Sequence, residues 1–276
     1  MRNPLSLRSA ILPQLGDRAR ASLLASALSL VALGSSLLES TPVRAQTPEA
    51  APSELEQILD GVDAAASSQD MDALMQFYDR DFTHADGLDR RDFKRAISQL
   101  WERYPNLRYD TELESWQRDN GAIVAETATQ ISGSEMVDDR QMQLTSTLRS
   151  RQRYEDGKIV SQEILSEDTR ITSGENPPTV DVNLPERVRI GRDYHFDAIV
   201  QEPLGEDILL GAALDEQVKP ENYFNSSELE LELLESVGGL FKVGEAPFVE
   251  REYWISGVLI RADGLAIVTR RLHVEK

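Results

Sequence analysis

The sequence predicts an α+β chain in two parts: helices leading into an antiparallel sheet and, beyond them, an all-β sandwich. Three observations carry this prediction. Apolar residues recur at helical spacing between Ser53 and Trp101, they recur at every second position from Asn106 onward, and a polar, proline-bearing stretch separates two sets of strands.

Ser53 is expected to cap the first helix, with Glu54 and Glu56 in the first turn, where the helix dipole favours acids. Leu55, Ile58, Leu59 and Val62 supply its apolar stripe. A second helix reads from Asp70, placing Met71, Leu74, Met75 and Tyr78 on one face. After the turn signal Asp86-Gly87, a third begins near Asp89 and carries Phe93, Ile97, Leu100 and Trp101. It stops at Tyr104-Pro105, because a residue before proline avoids the helical region. The period then falls to two. Leu107, Tyr109 and Thr111 alternate with Arg108, Asp110 and Glu112 in one strand, and residues 123–131 form a second, 141–154 a third and 158–165 a fourth. Asn120-Gly121 and Asp156-Gly157 are hairpin turns between them. In the third strand Met142, Leu144 and Leu148 face one way, while Thr145, Thr147, Arg149, Arg151 and Arg153 face the other.

Beyond the linker, Val180, Val182 and Leu184 alternate, as do Tyr194, Phe196 and Ala198, and Leu229, Leu231 and Leu233. Residues 253–260 and 265–274 flank Ala262-Asp263-Gly264 as a hairpin. About seven short strands in roughly a hundred residues suggest an immunoglobulin-like sandwich, without that family's cysteine pair. The expected plan is a leader over 1–45, a disordered lead-in over 46–52, a first domain over 53–172, a linker over 173–178 and a second domain over 179–276.

The segment from Met71 through Tyr78, Asp81 and His84, a turn, Asp89 to Ile97 and then four strands resembles the nuclear transport factor 2-like (SnoaL-like) superfamily. The resemblance covers about 53–172. It implies a cone-shaped domain, three helices on a curved antiparallel sheet, with a pocket inside. That superfamily includes isomerases, dehydratases and members without catalysis, so the fold alone does not choose a function.

The charge pattern narrows the partners. The chain carries a net charge of −19, and a leader with five arginines against Asp17 and Glu39 masks further acidity, leaving −22 from Gln46 onward. Such a field repels phosphate backbones, so nucleic acid is not an expected partner. There is no cysteine, which removes disulfides, thiol nucleophiles and thiolate metal sites, and His84, His195 and His273 are too far apart in sequence to suggest a metal site. No cofactor motif is present. Arginines, the uncharged run over 21–38 and Val43-Arg44-Ala45 have the order of a secretory signal. Cleavage after Ala45 would deliver the chain to a periplasm, a thylakoid lumen or the exterior, with no integral membrane segment left. An uncleaved anchor is the alternative.

Tyr78, Asp81 and His84 are the candidate catalytic residues. On a continuing helix they stack on adjacent turns, where a carboxylate raises the basicity of an imidazole and a phenol donates to an oxyanion. Superfamily dehydratases resemble this in using histidine, carboxylate and tyrosine. The other reading puts Tyr78 in the core, Asp81 on local backbone and His84 in a solvated loop. Glu126 and Glu163 fall on strands, either as a carboxylate pair in the pocket or on the outer face beside Arg149 or Arg151. Trp101, Tyr104 and Trp116 either stack on a flat ligand or complete the core. The preferred reading is an exported, non-catalytic protein that binds a small apolar ligand or a protein partner. It is expected to dimerise through the face carrying Thr145, Thr147 and Arg149. The rival is an extracytoplasmic isomerase or dehydratase.

Overall fold

The computed structural model describes residues 51–203, 208–225, 229–234 and 238–276. The leader expected over 1–45, and the lead-in up to residue 50, lie outside the described residues.

Helix α1 (Ser53–Ser67) buries Leu55, Ile58 and Leu59, as its stripe requires. Its N-cap is Pro52, and no side chain caps it, so Ser53 is the first helical residue rather than the cap. The expected second helix is a single turn, α2 (Met71–Leu74), capped by Asp70. The chain then straightens into β1 (Tyr78–His84). Tyr78, Phe82 and His84 are buried there, and β1 pairs in parallel with the strand that holds Gln162. Periodicity within a short segment favoured helix, but an open sheet edge won. Helix α3 (Arg90–Arg103) follows, with the Asp89 carboxylate accepting from the Asp92 N–H at 2.8 Å.

Four long strands make the meander: β2 (Arg108–Asp119), β3 (Ala122–Val137), β4 (Arg140–Glu155) and β5 (Lys158–Gly174). Asn120 and Gly121 both have positive φ, as do Asp156 and Gly157, which is the backbone that two-residue hairpins of matching twist require. The C-terminal part adds β6 (Val180–Asn183), β7 (Arg187–Arg189), β8 (Asp193–Val200), β9 (Leu209–Gln217), a 3₁₀ turn (Pro220–Tyr223), β10 (Glu232–Leu234), β11 (Gly239–Glu245), β12 (Arg251–Ile260) and β13 (Gly264–Glu275).

The three-helix cone followed by a sandwich is not what forms. The chain is mostly strand, and its main body is one large sheet in the order β10-β9-β12-β13-β5-β4-β3-β2. β13 runs antiparallel to β5 from Gly264 opposite Gly174 to Arg270 opposite Asp168. A second sheet, β11-β8-β6, covers part of this body.

The hairpin β12–β13 explains the continuity. On one face Val258 and Ile267 join the core formed with α1 and the meander; on the other, Leu259, Ala266, Val268 and Leu272 join the core under the small sheet. A strand buried on both faces reads as a nearly unbroken apolar run, as Leu265-Ala-Ile-Val268 does. Alternation in the sequence shows that these are strands, but not which sheet they extend. Among the described residues no helix is long and apolar enough to cross a membrane.

Candidate functional site

A cavity of about 570 Å³ lies between α1, α3, the inner face of the meander and the turn at 222–225. Much of its wall is aliphatic or aromatic, with Leu59, Phe93, Ile97 and Trp101 among the residues that line it.

Two irregularities in β5 decide which polar side chains reach this cavity. Opposite β4 the register shifts once between Arg153 and Tyr154 and again between Arg149 and Ser150. Each extra residue reverses which side of the strand faces inward. Ile159 faces in, then Gln162 and Ile164, then Glu167, while β4 keeps Tyr154, Gln152, Ser150 and Leu148 on the same wall throughout. The second bulge is pinned by His273, whose Nε2 lies 2.8 Å from the Leu165 carbonyl oxygen.

Arg271 on β13 is the centre of the charged part of the wall. Its side chain is 1% exposed. Nε donates to Glu167 Oε2 at 2.6 Å, and Nη1 and Nη2 donate to the two Asp86 oxygens at 2.9 and 2.7 Å. Nη1 also donates to Glu252, the Tyr223 hydroxyl donates to Asp86, and Trp254 Nε1 donates to Glu167 Oε2 at 2.8 Å. Burial pushes the Asp86 carboxyl upward, but the Arg271 charge and its hydrogen bonds outweigh this and bring it down to about 2. Glu167 is raised by its burial, against the pull of Arg271.

His84 is 7% exposed, and its ring stacks on Phe93 with centroids 6.1 Å apart. The Asp86 backbone N–H donates to Nδ1 at 3.2 Å, which places the ring proton on Nε2. Burial lowers its pKa, and Arg271 adds to that, against the carboxylates of Asp86 and Glu252. The imidazole is therefore neutral.

Of the residues singled out from sequence, Tyr78, His84 and Trp101 line the cavity. Asp81 does not join them. It stands on the outer side of β1 with its side chain 78% exposed, 3.0 Å from Arg80 Nε. Helical stacking failed because the segment is a strand. Trp101 donates through Nε1 to the Tyr109 hydroxyl at 3.1 Å. Tyr104 is fully buried in the core, and Trp116 packs half-buried against its edge. Glu126 and Glu163 lie on the outer face, both paired with Arg151 at 2.7 and 3.0 Å. The side chains that sequence reasoning missed are Asp86, Gln162, Glu167, Tyr223, Trp254 and Arg271. One signal was visible: Arg271 is a charge inside an apolar hairpin.

The family model described as Domain of unknown function (DUF8623) matches residues 175–275, which begins directly after β5. A search of curated proteins finds no match. Solved structures similar to part of the chain include ones with ketosteroid isomerase-like and related folds. A conserved protein from Planctomyces limnophilus is 14% identical, with a TM-score of 0.33, over 40% of this chain and 91% of its own. A hypothetical protein with a ketosteroid isomerase-like fold from Catenulispora acidiphila, solved with trimethylamine, is 15% identical, with a TM-score of 0.30, over 39% and 83%. An epoxide hydrolase from M. tuberculosis is 12% identical, with a TM-score of 0.29, over 41% and 81%. Likeness at this level assigns no activity to this chain.

Proposed function

We propose that this protein is an exported binding protein that holds a small, mainly apolar molecule in its cavity and carries out no chemistry on it. The observation that supports this best is that Arg271 and the carboxylates beside it satisfy one another, and that Asp63 is held by a neighbouring threonine. Arg271 uses Nε, Nη1 and Nη2 on Asp86, Glu167 and Glu252, and the Asp63 oxygens accept from the Thr111 N–H and hydroxyl, both at 2.7 Å. What remains for a ligand is an aliphatic and aromatic surface with a few neutral hydrogen-bonding groups, the usual make-up of a small-molecule pocket. The rival reading, proton transfer by Tyr78, Asp81 and His84, needs all three at one cavity, and Asp81 stands outside it. Export rests on the leader, whose order is that of a secretory signal.

The test is a fluorescence titration of the chain from Gln46 with N-phenyl-1-naphthylamine, a neutral apolar dye that brightens out of water. The expected result is saturable one-to-one binding with Kd of about 10 µM or tighter, roughly −7 kcal/mol. A linear, non-saturating response would count against the reading.

A further inference from the structure

The inner wall carries one row of polar side chains in cross-strand register. His84 on β1 lies opposite Gln162 on β5, and Gln162 lies opposite Gln152 on β4. Hydrogen bonds run along this row in one direction. The Tyr154 hydroxyl donates to Gln152 Oε1, and Gln152 Nε2 donates to Gln162 Oε1 at 3.2 Å. The Gln162 amide oxygen is thus occupied, and what it retains is its two N–H groups. On His84, Nδ1 is occupied by the Asp86 N–H, so the remaining N–H is on Nε2. Both residues are 7% exposed, and both line the cavity. Among the described residues, neither Gln162 Nε2 nor His84 Nε2 has an acceptor. Two neighbouring donors that line the cavity without a protein acceptor are groups that a ligand oxygen can satisfy.

The charges around the row limit what that oxygen can be. Asp86 Oδ2 is 3.7 Å from His84 Nδ1, and Glu167 borders the same cavity. Arg271 and Arg103, which both line the cavity, are committed to carboxylates. A further anion here would meet negative charge in a poorly solvated site.

We propose that the ligand of this cavity carries one uncharged carbonyl-type oxygen, bound by His84 Nε2–H and the Gln162 amide N–H, with its apolar body against Phe93, Ile97 and Trp101. This rests on the binding role proposed above and specifies its ligand class.

Three naphthalenes of matched shape test it, each displacing N-phenyl-1-naphthylamine from the chain starting at Gln46: 2-acetylnaphthalene, 2-ethylnaphthalene and 2-naphthoate. The ketone is expected to bind at least about tenfold tighter than the hydrocarbon, with the carboxylate weaker than the ketone. The carbonyl stretch of bound 2-acetylnaphthalene is expected to fall to lower wavenumber than in an apolar solvent. In His84→Phe and in Gln162→Met the ratio of ketone to hydrocarbon affinity falls toward one. Equal affinities in the wild type, an unshifted carbonyl stretch, tighter binding of 2-naphthoate, or a ratio that survives both substitutions would each overturn the proposal. The infrared measurement needs only the wild-type chain, so it decides even where a variant fails to fold. If the dye saturates and the ketone shows no preference, the oxygen site alone fails; if neither the dye nor any naphthalene binds, the cavity reading fails with it.

Discussion

Arg271 is one buried cation shared among Asp86, Glu167 and Glu252, whose contacts reach 185 residues back along the chain. Removing it leaves carboxylates in the interior without a counterion, whereas removing the whole set leaves only a packing problem. Arg271→Leu is expected to cost about 3–5 kcal/mol in urea unfolding, and adding Asp86→Asn and Glu167→Gln to recover most of that loss. An unchanged midpoint in the single variant would show that the network is not formed. The same residues set the acid response. Asp86 stands at about 2 when folded against an ordinary 3.8, so the unfolded chain binds this proton first as pH falls. The stability it supplies, roughly 2 kcal/mol, is complete above the ordinary value and is lost as pH drops toward the folded one. His84 acts in the same direction and earlier, because its folded value lies below 6.5 and the unfolded chain takes the proton from there downward. Glu167, raised by burial, acts in the opposite sense, so a variant comparison isolates the histidine. Between pH 7 and about pH 5.5 the wild type is expected to lose more stability than His84→Phe does, read from paired urea midpoints.

At the scale of elements, strands differ in how much their side chains are required to do. The outer face of the meander carries Arg149, Arg151 and Arg153, paired across strands with Glu114, Glu126, Glu163 and Asp119 in partly solvated positions. Arg151→Ala is therefore expected to cost no more than about 1 kcal/mol. His273 holds the carbonyl of the β5 bulge that turns Glu167 inward, and His273→Phe is expected to cost about 1–3 kcal/mol by leaving that carbonyl unpaired. Equal losses in the two variants would contradict this ranking. The contrast also shows what the sequence could reveal. Helices α1 and α3, the turns at Asn120-Gly121 and Asp156-Gly157, and the β12–β13 hairpin follow from local pattern, whereas Tyr78 and His84 line the cavity from a strand and not from the helix that their spacing predicts. The segment over 78–84 did not, because its strand state depends on pairing with β5, 75 or more residues away. Glu167 did not either, because simple alternation cannot anticipate two register shifts that each reverse the inward side.

In the whole molecule, the β13–β5 seam makes the cavity a joint product of both parts of the chain: the C-terminal part supplies Arg271, Trp254 and Tyr223 to a wall otherwise built from the meander and helices. Fragments 53–172 and 179–276 each lose one side of that seam and half of the Arg271 network. Neither is expected to unfold cooperatively by itself, while the intact chain shows one transition by both fluorescence and circular dichroism. Two well-separated transitions in the intact chain would instead show that the parts are stable apart. In the proposed function a small apolar molecule occupies the cavity itself rather than a surface patch. This is tested most directly by filling that space with Ile97→Trp and measuring dye affinity and thermal midpoint on the same sample. The expected result is a folded variant with a midpoint close to that of the wild type and dye affinity reduced by at least about tenfold. A folded variant that binds N-phenyl-1-naphthylamine as tightly as the wild type would contradict it.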